Sequence, residues 1–169
     1  MIVCETKQLV IRHFELSDVE YVLKQLNEPS FIQFIADKQV RNIIDAENYL
    51  KNGPLASYCQ FGFGLNVVLL KQSGIPIGMC GLLKRPELAY PDLGFAFLPK
   101  FWGKGYATQA SNAILNNGIK IHKQKVILAL TLPDNQSSNC LLTRIGFIQK
   151  DTIELYGSEN NLYEYRTSS

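Results

Sequence analysis

The sequence has no marked excess of positive or negative charge, and it has no long apolar stretch. The 169 residues carry 17 Lys and Arg against 15 Asp and Glu, so the net charge is only +2. Nucleic acids and anionic membranes are bound through clustered positive charge, and this balance argues against either partner. No apolar stretch reaches the roughly 18 residues that a membrane span requires, so we expect no membrane-spanning segment.

The N-terminal segment and the cysteine spacing indicate where the protein is located and whether it binds a metal. Charged residues interrupt "MIVCETKQLVIRH" before an apolar stretch develops, so we expect no signal peptide and a cytoplasmic protein. The four cysteines are widely spaced, without a C-x-x-C pair, at Cys4, Cys59, Cys80 and Cys140. We expect reduced, mostly buried thiols and no metal site. His13 and His122 are expected to be structural or surface residues.

The spacing of apolar residues predicts an α/β protein, with one domain over residues 1–169. Strands are predicted at 8–14, 61–71, 75–85, 92–98, 125–132, 147–155 and 161–167. Helices are predicted at 16–27, in the stretches 29–37 and 41–53, from Gly105 to about 119, and at 135–146. This order favours a mixed sheet with helices covering both faces.

Three local signals predict where individual helices begin or end. Ser17 and Glu20 have the S-x-x-E spacing of a capping box, which predicts the start of the first helix. Gly53-Pro54 is expected to break the helix that precedes it. Gly146 has the position of a glycine that ends a helix in the left-handed conformation.

The stretch "FWGKGYATQA" (101–110) places two glycines between a predicted strand and a predicted helix. It lacks the four-residue gap of a Walker A loop, and Thr108 stands where the dinucleotide fingerprint needs its third glycine. The first N–H groups of a helix have no acceptor within the helix, and glycines let an anion approach them closely. The stretch is therefore either an anion-binding turn or simply a tight strand-to-helix turn, and its residues leave both open.

Two segments of the chain resemble the GCN5-related N-acetyltransferase (GNAT) superfamily. "DLGFAFLPKFWGKGYATQA" (92–110) is similar to the acyl-CoA-binding segment of that family, and especially to the branch of ribosomal-protein N-terminal acetyltransferases. About thirty residues further on, "LTLPDNQSSNCLLTRIGF" (130–147) resembles the second conserved segment of the family. The two segments come in the expected order and at the expected distance.

The resemblance implies a GNAT-like fold. Its sheet is mixed, mostly antiparallel and twisted, with helices on both faces. It is splayed between the fourth and fifth strands, here the predicted strands 92–98 and 125–132, and the fourth strand carries a bulge. The pantetheine arm of the co-substrate acetyl-CoA lies in the resulting gap. The terminal strands of this family often join subunits, so both a monomer and a homodimer agree with the resemblance.

The resemblance also implies a set of cofactor-binding residues. Main-chain groups of Phe97 and Leu98 would bind pantetheine, and Asn135 and Ser138 match polar positions that contact the same arm. The pyrophosphate would be held by the main chain of Gly103, Lys104, Gly105, Tyr106, Ala107 and Thr108. Two positions depart from the family pattern. Trp102 replaces a usual Gln or Arg, and Leu142 replaces the tyrosine that protonates the leaving thiolate in many members.

The implied reaction is transfer of an acetyl group to a primary amine of a small molecule or a peptide N-terminus, by direct attack in a ternary complex. Asp92 is the preferred base, acting through water, and Glu87 is a weaker rival. A main-chain N–H near Phe97 would stabilise the oxyanion. Ser138 would protonate the thiolate, or its hydroxyl would instead cap a helix. Two alternative functions are a non-catalytic acyl-CoA-binding or regulatory module and a nucleotide-binding protein.

Overall fold

Eight strands and six α-helices make up the computed structural model, which describes residues 1–168. The strands are β1 Ile2–Glu5, β2 Leu9–His13, β3 Leu65–Leu70, β4 Pro76–Leu83, β5 Asp92–Phe97, β6 Val126–Thr131, β7 Ile148–Leu155 and β8 Ser158–Arg166. The helices are α1 Val19–Leu26, α2 Pro29–Phe34, α3 Ile43–Leu50, α4 Ala56–Phe61, α5 Tyr106–Lys120 and α6 Gln136–Arg144. Over residues 1–168, none of these helices combines the length and the apolar character that a membrane crossing needs.

All eight strands belong to one sheet, in the order β1-β2-β3-β4-β5-β6-β8-β7. Every neighbouring pair is antiparallel except β5 and β6, which are parallel. Within residues 1–168, Asp92 opposite Leu128 is the single register pair that joins β5 to β6. The two strands therefore separate towards their C-terminal ends. This confirms the predicted mixed sheet and its splay. The prediction did not include the short strand β1, so its fourth and fifth strands are β5 and β6 of the structure.

The bulge that the resemblance implied is not found in the pairing of β5 with β4. The register runs without a shift from Gly78 opposite Phe97 to Leu83 opposite Asp92. The gap between β5 and β6 thus arises from divergence of the two strands and not from an extra residue in β5.

Helices cover both faces of the sheet, as predicted. On one face, α5 and α6 pack over a core that includes Ile11, Cys80, Ile114 and Leu142. On the other face, the helices α1–α3 pack over a second core, together with Leu55 of the segment that leads into α4. Its largest buried members are Phe14, Tyr21, Leu26, Phe31, Leu50 and Met79. Side chains of successive strand residues alternate between these two cores.

The first helix begins differently from the prediction. A short 3₁₀ turn at Leu16–Asp18 precedes α1, and Glu15 and Asp18 form the capping box. Asp18 Oδ2 accepts the Glu15 N–H at 2.8 Å, and the carboxylate also pairs with Arg12. The predicted capping box at Ser17 and Glu20 is therefore wrong, because the helical turn already begins at Leu16 and the capping pair is Glu15 and Asp18. The Ser17 hydroxyl instead donates to Glu15 Oε2.

Gly53 and Pro54 do not break the helix that precedes them, contrary to the prediction. The chain continues from α3 through a π-helical segment, Lys51–Leu55, directly into α4. A proline in a regular helix clashes with the carbonyl four residues earlier, and the wider π turn relieves that crowding. The helix ends at Gly62, whose φ is +81°. The predicted strand at 61–71 is consequently shorter and begins at Leu65.

Glycines in β4 allow other parts of the chain to approach the sheet closely. A Cβ atom on Gly81 would lie 2.7 Å from Leu65 Cα and closer still to the carbonyl oxygen of Gly64. Real Cβ atoms do not approach main-chain atoms at that distance, so the connection between α4 and β3 fixes glycine at this position.

We predict that Gly81→Ala lowers the free energy of unfolding by about 1–3 kcal/mol, because the added methyl group must displace main-chain atoms. Gly53→Ala is the matched control, since a Cβ atom there meets nothing within 4 Å. Urea denaturation followed by circular dichroism measures both variants. Equal stability of the Gly81 variant and the wild type would contradict the close approach.

Candidate functional site

The turn between β5 and α5 has the conformation that its glycines predict. Gly103 and Gly105 have φ angles of +74° and +82°, and Gly105 is the N-cap residue of α5. A Cβ atom at either glycine would meet nothing within 4 Å. The requirement for glycine is therefore conformational, and the turn leaves open space over the start of the helix.

Six consecutive main-chain N–H groups at this turn have no acceptor within residues 1–168. They belong to Gly103, Lys104, Gly105, Tyr106, Ala107 and Thr108. The next donor, Gln109 N–H, makes the first bond of the helix, to Gly105 O at 3.0 Å. Six free donors at the positive end of a helix dipole suit a multiply charged anion. Lys104 is exposed and adds a positive charge to the same turn.

Main-chain groups of β5 line the gap between β5 and β6. Leu98 N–H donates to Ile77 O at 2.9 Å, so the Leu98 main chain faces β4. Alternate residues of a strand direct their N–H and C=O groups to opposite sides, which turns those of Phe95 and Phe97 towards the gap. Leu98 O also has a partner, the N–H of Phe101 at 2.9 Å. Both Leu98 main-chain groups predicted to bind a ligand are thus used within the protein.

Trp102 bonds to the C-terminal end of β5, which borders the gap. Its indole Nε1–H donates to Phe97 O at 2.9 Å, while 54% of the side chain surface is exposed. This bond ties the turn to the end of β5 and gives a physical role to the tryptophan that replaces Gln or Arg. The Phe97 N–H is available to a ligand in the gap, while its carbonyl oxygen already accepts one hydrogen bond.

The N-terminus of α6 lies at the same edge of the sheet as that of α5, because the parallel strands β5 and β6 end there. Asn135 is the N-cap residue of α6, and its Oδ1 accepts the Ser138 N–H at 3.3 Å. Asn135, and not the Ser138 hydroxyl, therefore caps the helix. Ser138 is half-buried, and its hydroxyl makes no hydrogen bond within residues 1–168.

Asp92 and Glu87, the two predicted bases, belong to one cluster of polar side chains. Asp92 is 2% exposed and accepts bonds from Arg85 Nε at 3.0 and 3.1 Å. The Arg85 guanidinium lies 5.6 Å from the centre of the Tyr156 ring. Tyr156 in turn donates its hydroxyl to Glu87 Oε2 at 2.9 Å. The cluster joins the start of β5 to the tip of the β7–β8 hairpin.

Burial controls the acid–base behaviour of Asp92. Desolvation raises the pKa of the Asp92 carboxyl, and the neighbouring Arg85 opposes that shift. The side chain shares its sheet face with Ala96, which contacts the core under α1–α3. Asp92 therefore lies on the face opposite α5, close to the point where β5 leaves β6.

Arg85 and Tyr156 were not identified from the sequence. Arg85 follows β4 in a loop, and Tyr156 stands beside Gly157 with φ angles of 54° and 79°. Two consecutive positive φ angles are typical of a two-residue hairpin turn, which the glycine signals. Nothing in the local sequence indicates that this turn folds back onto the loop before β5.

Metal ligands and cysteines are dispersed in the structure. No group of three or more His, Cys, Asp or Glu side chains that would suit a metal ion occurs in residues 1–168. Cys80 is buried and Cys4 half-buried, and burial raises the pKa of their thiols to about 12 and about 11. Cys59 and Cys140 are exposed, which corrects the expectation of mostly buried thiols.

Comparison with known proteins shows which family the chain belongs to. The profile of the acetyltransferase (GNAT) domain family matches residues 8–148. YnaD of Bacillus subtilis (strain 168), named an uncharacterized N-acetyltransferase, is 28% identical over 141 residues, which make up 83% of this chain and 79% of YnaD. YkkB, an uncharacterized protein of the same organism, is 27% identical over 109 residues, and the match spans only 63% of each chain.

A solved structure shows the same fold at low identity. RimL, described as a ribosomal L7/L12 alpha-N-protein acetyltransferase in complex with coenzyme A, aligns with a TM-score of 0.84 at 16% identity and 98% coverage of both chains. The family profile covers most of the chain, including both segments that border the gap. The protein is therefore a member of the acetyltransferase (GNAT) domain family.

Proposed function

We propose that this protein is an acetyl-CoA-dependent N-acetyltransferase and that its whole chain acts as one catalytic domain. The acceptor is a primary amine of a small molecule or a peptide N-terminus, which attacks the thioester directly in a ternary complex. The observation that carries the proposal is the row of six unpaired N–H groups beside a gap in the sheet. Together they fit a molecule with a pyrophosphate at one end and an extended arm.

The residues present fit acetyl-CoA in specific ways. The N–H groups from Gly103 to Thr108 hold the pyrophosphate, with Lys104 as an added charge. The Phe97 N–H and the Asn135 amide contact the pantetheine arm. The Leu98 N–H and carbonyl oxygen already have partners, and its buried side chain packs in the core under α1–α3.

Three groups supply the chemistry in this proposal. Asp92 accepts the amine proton through a water molecule, from the face of the sheet opposite α5. The Phe95 N–H, which faces the gap two residues before Phe97, donates to the oxygen that becomes negative during attack. Ser138, with its unpaired hydroxyl at the start of α6, gives a proton to the departing thiolate.

We predict that Gly105→Asp weakens coenzyme A binding by about 100-fold, because it sets a carboxylate among donors that hold a dianion. Gly74→Asp is the matched control: its φ is +74°, its surroundings are equally open, and it lies in the β3–β4 turn. Isothermal titration calorimetry gives the dissociation constants, and thermal melting checks the folding of both variants. An unchanged affinity in the folded Gly105 variant would remove the turn from the site.

The same protein distinguishes catalysis from binding alone. We expect free thiol release from acetyl-CoA in the presence of a panel of amines and peptides with free N-termini. A non-catalytic acyl-CoA-binding module would bind coenzyme A without turnover across the panel. A nucleotide-binding protein would be stabilised against melting by ATP and not by coenzyme A.

We predict that Asp92→Asn lowers kcat/KM by about 100-fold at neutral pH and by less at high pH, where the amine is already deprotonated. Because burial raises the Asp92 pKa, the wild-type rate should begin to fall at a higher pH on acidification than an ordinary carboxylate would allow. The measurement is a pH–rate profile.

Glu87→Gln is the comparison variant, since it removes the rival carboxylate from the same cluster. A rate loss that is equal at all pH values in Asp92→Asn would show that the residue only supports the structure. A loss of the acidic limb in Glu87→Gln, and not in Asp92→Asn, would transfer the role of base to Glu87.

We predict that Ser138→Ala lowers kcat at least about tenfold without weakening coenzyme A binding, because the thiolate loses its proton donor. Ser137→Ala is the control, since Ser137 is the exposed neighbour in the same helical turn. Steady-state kinetics and calorimetry separate the two effects. Equal kcat values for the two variants would exclude the role of the Ser138 hydroxyl.

A further inference from the structure

A second cavity lies near the C-terminal end of α5. Its volume is about 250 Å³. Apolar side chains line it, among them Val3 of β1, Leu82 of β4, Ile114 of α5 and Ile121 directly after that helix. Its polar lining residues are His13, Asn66, Asn117 and His122.

Asn66 carries an unpaired acceptor at this cavity. The residue is 3% exposed, and its Nδ2 donates to Cys80 O at 3.1 Å. Its Oδ1 is buried and has no partner within residues 1–168. Reversing the amide would bring the side-chain oxygen of Asn66 against the carbonyl oxygen of Cys80. The bond to Cys80 therefore identifies Oδ1 as the atom without a partner. A buried carbonyl oxygen without a donor is costly, and a ligand with an N–H or O–H group would relieve that cost.

Both histidines of the chain line the same cavity. His13 stacks on Tyr58 with ring centres 3.7 Å apart, and His122 meets Phe63 edge-on at 5.3 Å. Partial burial lowers the pKa of His13, which favours its neutral form. No Asp, Glu, Lys or Arg lines the cavity. Met1 also lines the cavity, and repulsion from its α-ammonium group adds to the effect of burial on the His13 pKa. The lining side chains are uncharged or apolar apart from the imidazoles, and they therefore favour a neutral ligand.

We propose that this cavity is a binding site for a small, neutral, aromatic molecule that donates one hydrogen bond to Asn66 Oδ1. The volume sets the size: an apolar cavity of about 150 Å³ takes up benzene, so 250 Å³ suits a fused pair of rings. The aromatic walls formed by Phe63 and the two imidazoles favour a flat ligand.

The site is distinct from the gap that is assigned to acetyl-CoA. Ile114 is eight residues beyond Tyr106, which places it roughly 12 Å along α5 from the unpaired N–H groups, at 1.5 Å per residue. The cavity is bordered by β3 and β4 on the α5 face, whereas the gap lies beyond β5. The inference does not depend on acetyl transfer.

Indole and benzofuran test the proposal on the wild-type protein, because they match in shape and only indole carries an N–H donor. We expect indole to bind about three- to tenfold more tightly than benzofuran, as measured by ligand-observed NMR titration in the presence of saturating coenzyme A. A crystal structure with indole should place the ring nitrogen at Asn66 Oδ1. Absence of binding, equal affinity of the two compounds, or displacement of indole by coenzyme A would overturn the proposal.

Two variants test the residues. Asn66→Leu keeps the volume and removes the acceptor, so indole and benzofuran should then bind equally. Ile121→Trp fills the rim and should weaken both compounds. Ile44→Trp is its control, since Ile44 is similarly exposed, at 69% against 65%, and lies on α3 across the sheet. Unchanged indole preference in a folded Asn66 variant, or equal binding by the two Trp variants, would contradict the site.

Discussion

The main constraint on this structure is a group of unpaired main-chain N–H donors at the start of α5. Six main-chain donors there have no acceptor among the residues that the structure describes, and hydration or a bound anion must satisfy them. Two glycines with positive φ angles shape the turn that carries these donors, and the Trp102 bond fixes that turn to β5. The same crossover from β5 through α5 to β6 makes those strands parallel, so the anion-binding turn and the gap in the sheet are products of one connection.

Features that depend on local chemistry were predictable from the sequence. Gly103, Gly105 and Gly146 all have positive φ angles, because no other residue adopts those conformations at so little cost. The core strands and α5 follow their apolar spacing. The resemblance to GNAT proteins then predicted the splay, which no single segment encodes, because it depends on how β5 and β6 pair over a distance in the chain.

Features that depend on which side chains and main-chain groups folding brings together were missed. The cap of the first helix is decided by Asp18 and its bond to Arg12, and not by the nearby serine. The pairing of the Leu98 N–H with Ile77 O was not foreseen either. Likewise, nothing in the sequence around Asp92 indicates that Arg85 pairs with it or that Tyr156 contacts Arg85. In each case folding decides the partner.

The sheet also separates the chemical tasks. Side chains alternate across each strand, so Asp92 faces the α1–α3 side while Phe95 and Phe97 pack towards α5. Under the proposed reaction, an amine activated by Asp92 must approach from the α1–α3 side, and the thioester must be reached through the gap. The cavity at Asn66 lies on the α5 side, so its ligand would not compete with the amine. It would instead contact α5, whose first turn is assigned to the pyrophosphate.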